Sequence, residues 1–210
     1  VILPDQIRNS LSLNNTVFAN DVRFAPSSSG RTELIFKEPF DSNVAYLIRV
    51  GSEKNLILDD VDIKIDHTNS ARKINSLFEI ERGGLFFNGI LKVKAKSIKG
   101  SVISMNKSEF ICINCTIETE SLDREITMIS LIDSKAFCYN CKLQSNKSLF
   151  FLKSSDIVLF KPDLRGNEIF EFNDYNQAGK SPSFAYIDSM TITASEGYKN
   201  FVQFKSMAKD

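Results

Sequence analysis

The segments Phe110-Ile-Cys-Ile-Asn-Cys-Thr-Ile117 and Ala136-Phe-Cys-Tyr-Asn-Cys-Lys-Leu143 match position for position at a spacing of 26 residues. Self-similarity at such a period marks a chain built from stacked units, each unable to bury its apolar face alone. Further copies run Leu56-Ile-Leu-Asp-Asp-Val-Asp-Ile63, Leu85-Phe-Phe-Asn-Gly-Ile-Leu-Lys-Val93, Ile157-Val-Leu-Phe-Lys-Pro-Asp-Leu164 and Ala185-Tyr-Ile-Asp-Ser-Met-Thr-Ile192. The copy at Leu85 reads as carrying one extra turn residue. A degenerate first copy is expected over Thr16-Val-Phe-Ala-Asn-Asp-Val-Arg-Phe24.

Each copy alternates apolar and polar on both sides of a tight corner, so it reads as two short strands. Asn20, Asp60, Asn88, Asn114 and Asn140 are the expected corner centres, with Lys161 and Asp188-Ser189 in the later copies. Asn and Asp tolerate left-handed backbone, which a corner requires. A third strand precedes several copies: Phe78-Glu-Ile80, Ile103-Ser-Met105, Ile129-Ser-Leu131 and Phe150-Phe-Leu152. Copies 21 to 29 residues apart cannot form hairpins with one another, and pair only in parallel, coil on coil. The inward ladders predicted across sheet one are Leu56, Leu85, Phe110, Ala136, Ile157 and Leu58, Phe87, Cys112, Cys138, Leu159, Ile187. Beyond the corner they are Val61, Leu91, Cys115, Cys141, Pro162, Met190 and Ile63, Val93, Ile117, Leu143, Leu164, Ile192.

This register spans residues 16 to 204 and resembles the pectin-lyase-like right-handed parallel β-helix superfamily. The resemblance rests on the repeat and on the corner Asn with its following small or branched inward residue, as in Asn114-Cys-Thr-Ile and Asn140-Cys-Lys-Leu. It implies an all-β solenoid of about seven coils forming one domain over residues 1–210. Residues 1–15 are expected to cap it, with a short helix over Pro4 to Leu11, because Leu3, Ile7 and Leu11 fall on one helical face. Function does not follow from such a fold, which hosts lyases, hydrolases, tailspikes and non-catalytic surface passengers.

Lys plus Arg and Asp plus Glu each total 26, and the net charge is +0. That balance, with no basic run on one face, excludes a nucleic-acid partner held by bulk electrostatics. No apolar run approaches the ~20 residues of a membrane span. The chain begins Val1-Ile-Leu-Pro4, without Met or signal peptide, so we read it as part of a longer secreted or cell-surface protein.

Cys112-x-x-Cys115 and Cys138-x-x-Cys141 have the spacing of a thiolate metal site. All four also fall on inward ladder positions that other coils fill with Leu, Phe, Val or Pro. Core thiols, disulfides between stacked coils and a bound metal all remain open; no cofactor is expected, and packing is the simplest account. The resemblance implies that catalysis here would need paired Asp with His, or Asp-bound calcium with a basic residue. His67, the single histidine, follows Asp59, Asp60, Asp62 and Asp66, but no complete set accompanies it. These are read as corner and surface carboxylates, like the surface charges Arg124, Lys147 and Arg165.

One pattern departs from a solvated outer face. The outward position of the first strand is apolar in every copy: Val17, Ile57, Phe86, Ile111, Phe137, Val158 and Tyr186, widened by Ile113, Tyr139 and Phe160. The strand past the corner instead faces outward with Asp62, Lys92, Thr116, Lys142, Asp163 and Thr191. An apolar strip of this length calls for a cover. The N-terminal cap, the Thr32–Pro39 segment, a partner protein or the remainder of the protein would serve. The expected role is a non-catalytic stalk or binding module, such as an adhesin passenger. A carbohydrate-active enzyme with a glycan partner, or a homo-oligomeric fibre segment, are the alternatives.

Overall fold

Alternating short strands at these spacings force parallel pairing between coils, and the computed structural model has that architecture. It describes residues 2–3, 6–8, 16–26, 32–37, 46–68, 74–96, 98–122, 126–173, 182–194 and 200–204. The protein is an all-β parallel solenoid with three eight-stranded sheets and no helix among the described residues. Sheet A stacks Ile2–Leu3, Val22–Pro26, Asn55–Asp59, Gly84–Asn88, Glu109–Ile113, Lys135–Tyr139, Asp156–Phe160 and Phe184–Asp188. Sheet B stacks Gln6–Arg8, Thr32–Lys37, Val61–His67, Ile90–Ala95, Thr116–Ser121, Lys142–Ser145, Asp163–Gly166 and Thr191–Ala194. Sheet C stacks Thr16–Phe18, Tyr46–Val50, Ile74–Glu81, Ile98–Asn106, Thr127–Ile132, Ser148–Lys153, Glu168–Phe172 and Asn200–Phe204.

The chain runs from A to B to C and then one level along, so the five turns from Asn55 to Phe172 enclose one continuous core. Phe78, Phe110, Phe150 and Phe170 are among its largest fully buried side chains. Phe150 and Phe170 stack with ring centroids 5.3 Å apart and planes at 13°. Each such side chain contributes about 1.5–3 kcal/mol on leaving water. The predicted sheet C ladders hold as registered pairs, Phe78–Ile103–Ile129–Phe150 and Ile80–Met105–Leu131–Leu152. Both sheet A ladders hold as well.

Two sets of left-handed residues turn each coil. Between sheets A and B they are Asp60, Asn114, Asn140, Lys161 and Ser189, at φ 49–55°. Between sheets C and A they are Glu53, Arg82, Lys107, Asp133 and Ser154, at φ 49–60°. This conformation aims the corner N–H along the solenoid axis. Asn114 donates to the Tyr139 carbonyl, Asn140 to Phe160 and Lys161 to Asp188, each at 2.9 Å. After the second corner runs a buried serine ladder. The Ser108 N–H donates to Ser134 Oγ at 3.1 Å, Ser134 N–H to Ser155 Oγ at 3.0 Å, and Ser155 N–H to Ser183 Oγ at 3.0 Å. The Ser108, Ser134 and Ser155 hydroxyls donate to the carbonyls two residues back, at 2.7–2.8 Å. Buried backbone donors at the corner are thus satisfied without water.

The structure corrects the expected register in several places. The coil count differs slightly from the expected seven, with about five complete turns, and residues read as a cap include strands. Gln6–Arg8 is not helical but pairs with Glu33–Ile35, its polar-apolar-polar alternation suiting a strand edge; residues 4, 5 and 9–15 lie outside the described residues. Thr16–Phe18 belongs to sheet C, pairing with Ile48–Val50, so Asn20 is not an A-to-B corner. In the Gly84 coil the corner is one residue shorter, not longer, and its centre is Gly89 rather than Asn88. Leu91 therefore pairs with Ile63 and Ile117, and Lys92 with Lys64 and Glu118. Gly89 takes φ +148°, and a Cβ there would lie 2.3 Å from the Val61 carbonyl oxygen. Only glycine closes that shortened corner.

Candidate functional site

The outer face of sheet A carries the apolar positions. Parallel pairing places residues of equal register directly above one another, so Ile57, Phe86, Ile111, Phe137, Val158 and Tyr186 form one column. Five coil steps of ~4.8 Å make it about 24 Å long. Ile111 and Phe137 are each 37% exposed and Tyr186 46%, while Ile57, Phe86 and Val158 are half-buried against their column neighbours. A second column toward the A-to-B corner runs Ile113, Tyr139 and Phe160, with Tyr139 exposed. The rings interlock: Phe137 and Phe160 have centroids 5.9 Å apart, and Phe160 and Tyr186 5.8 Å.

The strip has polar borders. Arg23, not Val17, occupies the column position one coil before Ile57, and it is ion-paired with Asp59 at 2.5 Å. Val17 sits in sheet C beside Arg49, away from the strip. The outward positions at the strand starts are Asn55, Gly84, Glu109, Lys135 and Asp156, giving way to the exposed Phe184 in the last coil. Thr32–Lys37 does not cover the strip; it is a strand of sheet B. Sheet B's own outer face pairs charge across coils, Lys92 with Glu118 at 3.1 Å and Lys94 with Glu120 at 3.3 Å. The contrast between the two faces is thus one of chemistry at equivalent, outward-pointing positions.

The cysteines gather inside the A-to-B corner, all four 0–2% exposed. Cys112 and Cys138 are registered partners. The bridge present is within one coil, Cys112–Cys115, with Cα atoms 6.0 Å apart, and Cys138 and Cys141 are free. The Cys141 thiol lies 3.1 Å from the Cys112 carbonyl oxygen and 3.2 Å from that of Tyr139. The hydrogen bond from Cys138 holds Cys141 below the usual thiol range; that bond and then burial push Cys138 well up.

Among the described side chains, the acidic cluster does not converge on a reaction centre. Asp59 binds Arg23 and accepts from Asn88 Nδ2 at 3.3 Å; Asp60 is a corner residue. Asp62 accepts the Ile90 N–H at 2.9 Å, and Asp66 accepts the Thr68 hydroxyl at 2.7 Å. His67 ends a sheet B strand and its side chain is outside the described set, as is Arg124.

No family model, curated protein or solved structure matches this chain. Its surfaces therefore speak through their own geometry, and one more stands out. On the outer face of sheet C a groove of about 450 Å³ is lined by Asn75, Glu79, Lys99, Ser104, Ser130 and Phe151, among others. Below it Arg49 binds Glu81 at 2.9 Å and stacks over Tyr46, its guanidinium 5.7 Å from the ring centroid. The hydroxyls at Ser104 and Ser130 arise from the sheet C outward position, which the sequence reading used only to fix register.

Proposed function

We propose that this chain is a non-catalytic β-helical stalk or binding module of a secreted or cell-surface protein, of the right-handed pectin-lyase-like type. It engages a protein partner, or the remainder of its own protein, along the outer face of sheet A. The single observation that carries this reading is the unbroken apolar column from Ile57 to Tyr186, with Ile111, Phe137 and Tyr186 exposed and Tyr139 exposed beside it. A solvated sheet face alternates to polar residues, as sheet B does, whereas contiguous exposed apolar surface marks association. Asp59 and Asp62 are engaged in cross-coil bonds, Asp60 forms a corner and Asp66 accepts from the nearby Thr68, which supports the non-catalytic role. Replacing Phe86 and Phe137 with serine tests the reading. It expects a chain that folds as before and no longer associates.

A second reading rests on the groove of sheet C. Its serines, Asn75 and Glu79 offer hydrogen bonds and Phe151 a ring face, which together suit a neutral oligosaccharide. Phe151→Ala should weaken glycan retention on an array at least tenfold while leaving the melting temperature within a few degrees, since Phe151 is only half-buried. Equal retention by both proteins removes this reading.

A further inference from the structure

Two Cys-x-x-Cys segments on adjacent coils bring three sulfurs to one buried point, with the fourth cysteine, Cys138, in register beside them. The left-handed corners at Asn114 and Asn140 turn the chain so that Cys112 and Cys115, and likewise Cys138 and Cys141, both face inward, which is why positions three apart meet. Sγ atoms of Cys112, Cys115 and Cys141 all lie within 4.8 Å of one another. Cys138 stands in register with Cys112 on the next coil, with its sulfur outside that trio. In a tetrahedral site with metal–sulfur bonds of ~2.3 Å the sulfurs sit ~3.8 Å apart, so on reduction Cys112 and Cys115 separate while Cys138 rotates in to join them and Cys141. In the coils before and after, the positions of Cys112 and Cys138 hold Phe87 and Leu159. The thiols are therefore confined to the two coils that can share one ion.

We propose that, in its reduced form, this cluster is a tetrathiolate site for one soft divalent cation of the zinc class. Cys112, Cys115, Cys138 and Cys141 are the ligands. The bridge seen between Cys112 and Cys115 is the alternative state of the same sulfurs. A dithiol reductant opens it by exchange, becoming a disulfide itself and leaving two protein thiols. One Zn²⁺ then binds four thiolates as the four thiol protons leave to solvent. Bridge and ion exclude each other, because the bridge withholds two of the four ligands. The site stands independently of the sheet A surface.

The experiment is an anaerobic titration of the whole chain with Co²⁺, after reduction by a dithiol and removal of the reductant. The expected result is the intense visible ligand-field absorption of tetrahedral cobalt thiolate, saturating at one equivalent and bleached by one equivalent of Zn²⁺. Oxidised protein, with Cys112–Cys115 closed, should show none of it; this control has the same sequence and fold. C138S/C141S should lose the absorption while keeping the β-sheet circular dichroism. Absence of the absorption in reduced wild-type protein overturns the site, whether or not the variant folds. So does its persistence in the oxidised protein or in C138S/C141S.

Discussion

Single residues decide how tightly each coil turns. Gly89 closes a corner one residue shorter than its neighbours, at φ +148° with no room for a Cβ against the Val61 carbonyl. Gly89→Ala should therefore destabilise the protein by about 2–4 kcal/mol, combining backbone strain with the steric clash. Chemical denaturation measures it, and a cost below ~0.5 kcal/mol would mean that the corner relaxes freely. Some corners were legible in the sequence because Asn and Asp advertise left-handed backbone, as at Asp60, Asn114 and Asn140. Others were not. Glu53, Arg82 and Lys107 adopt the same conformation with residues that carry no such preference. Left-handed backbone costs roughly 1–2 kcal/mol at each, offset by the N–H that it aims at the next coil. A bond made between coils leaves no local mark in the sequence.

At the scale of strands and corners, ladders hold the register. The serine column is the most demanding, because each hydroxyl both accepts a buried N–H from the coil before and donates to its own strand. Ser134→Ala orphans the Ser108 N–H inside the core, so we expect a loss of about 1–3 kcal/mol in unfolding free energy. Faster amide exchange at Ser108 should accompany it; unchanged exchange there would show that the ladder is not what protects the corner. The sequence contained this ladder as Lys107-Ser, Asp133-Ser and Ser154-Ser before each sheet A strand, and reading only apolar positions passed over it. The misplaced Leu91 has a related cause. Apolar residues alternate all along both strands, so Leu91 and Val93 match Val61 and Ile63 as well as they match Ile63 and Ile65. Only the corner length separates the two registers. Thr16–Phe18 misled likewise, since Val17-Phe18 and Val22-Arg-Phe24 both fit a first copy. At the N-terminus the spacing of Leu3, Ile7 and Leu11 satisfies a helix, but Gln6–Arg8 forms a strand against Glu33–Ile35.

Across the whole molecule, periodicity made the solenoid legible, since inward positions recur in every coil and parallel stacking is the only pairing that the spacings allow. It also placed six of the seven first-strand strip residues in one column. What covers that column is not a periodic property; of the segments expected to do so, Gln6–Arg8 and Thr32–Lys37 are strands of sheet B and Ile2–Leu3 one of sheet A. Four of the strip's side chains are exposed along a face about 24 Å long. The most direct measurement is sedimentation equilibrium of wild-type protein and of the Phe86→Ser, Phe137→Ser double variant over a range of concentrations, each paired with a thermal melt. Burial of each ring at an interface contributes roughly 1.5–3 kcal/mol, so the double variant should raise the dissociation constant about 100-fold or more. When the partner is withheld, the exposed strip is equally open to a second copy of the chain. Docking through sheet A therefore predicts wild-type association that is lost in the variant, with melting temperatures that agree within a few degrees. A monomeric wild-type chain whose variant melts far lower would contradict it, by showing the rings to be covered from within. Association that the variant leaves unchanged would contradict it as well.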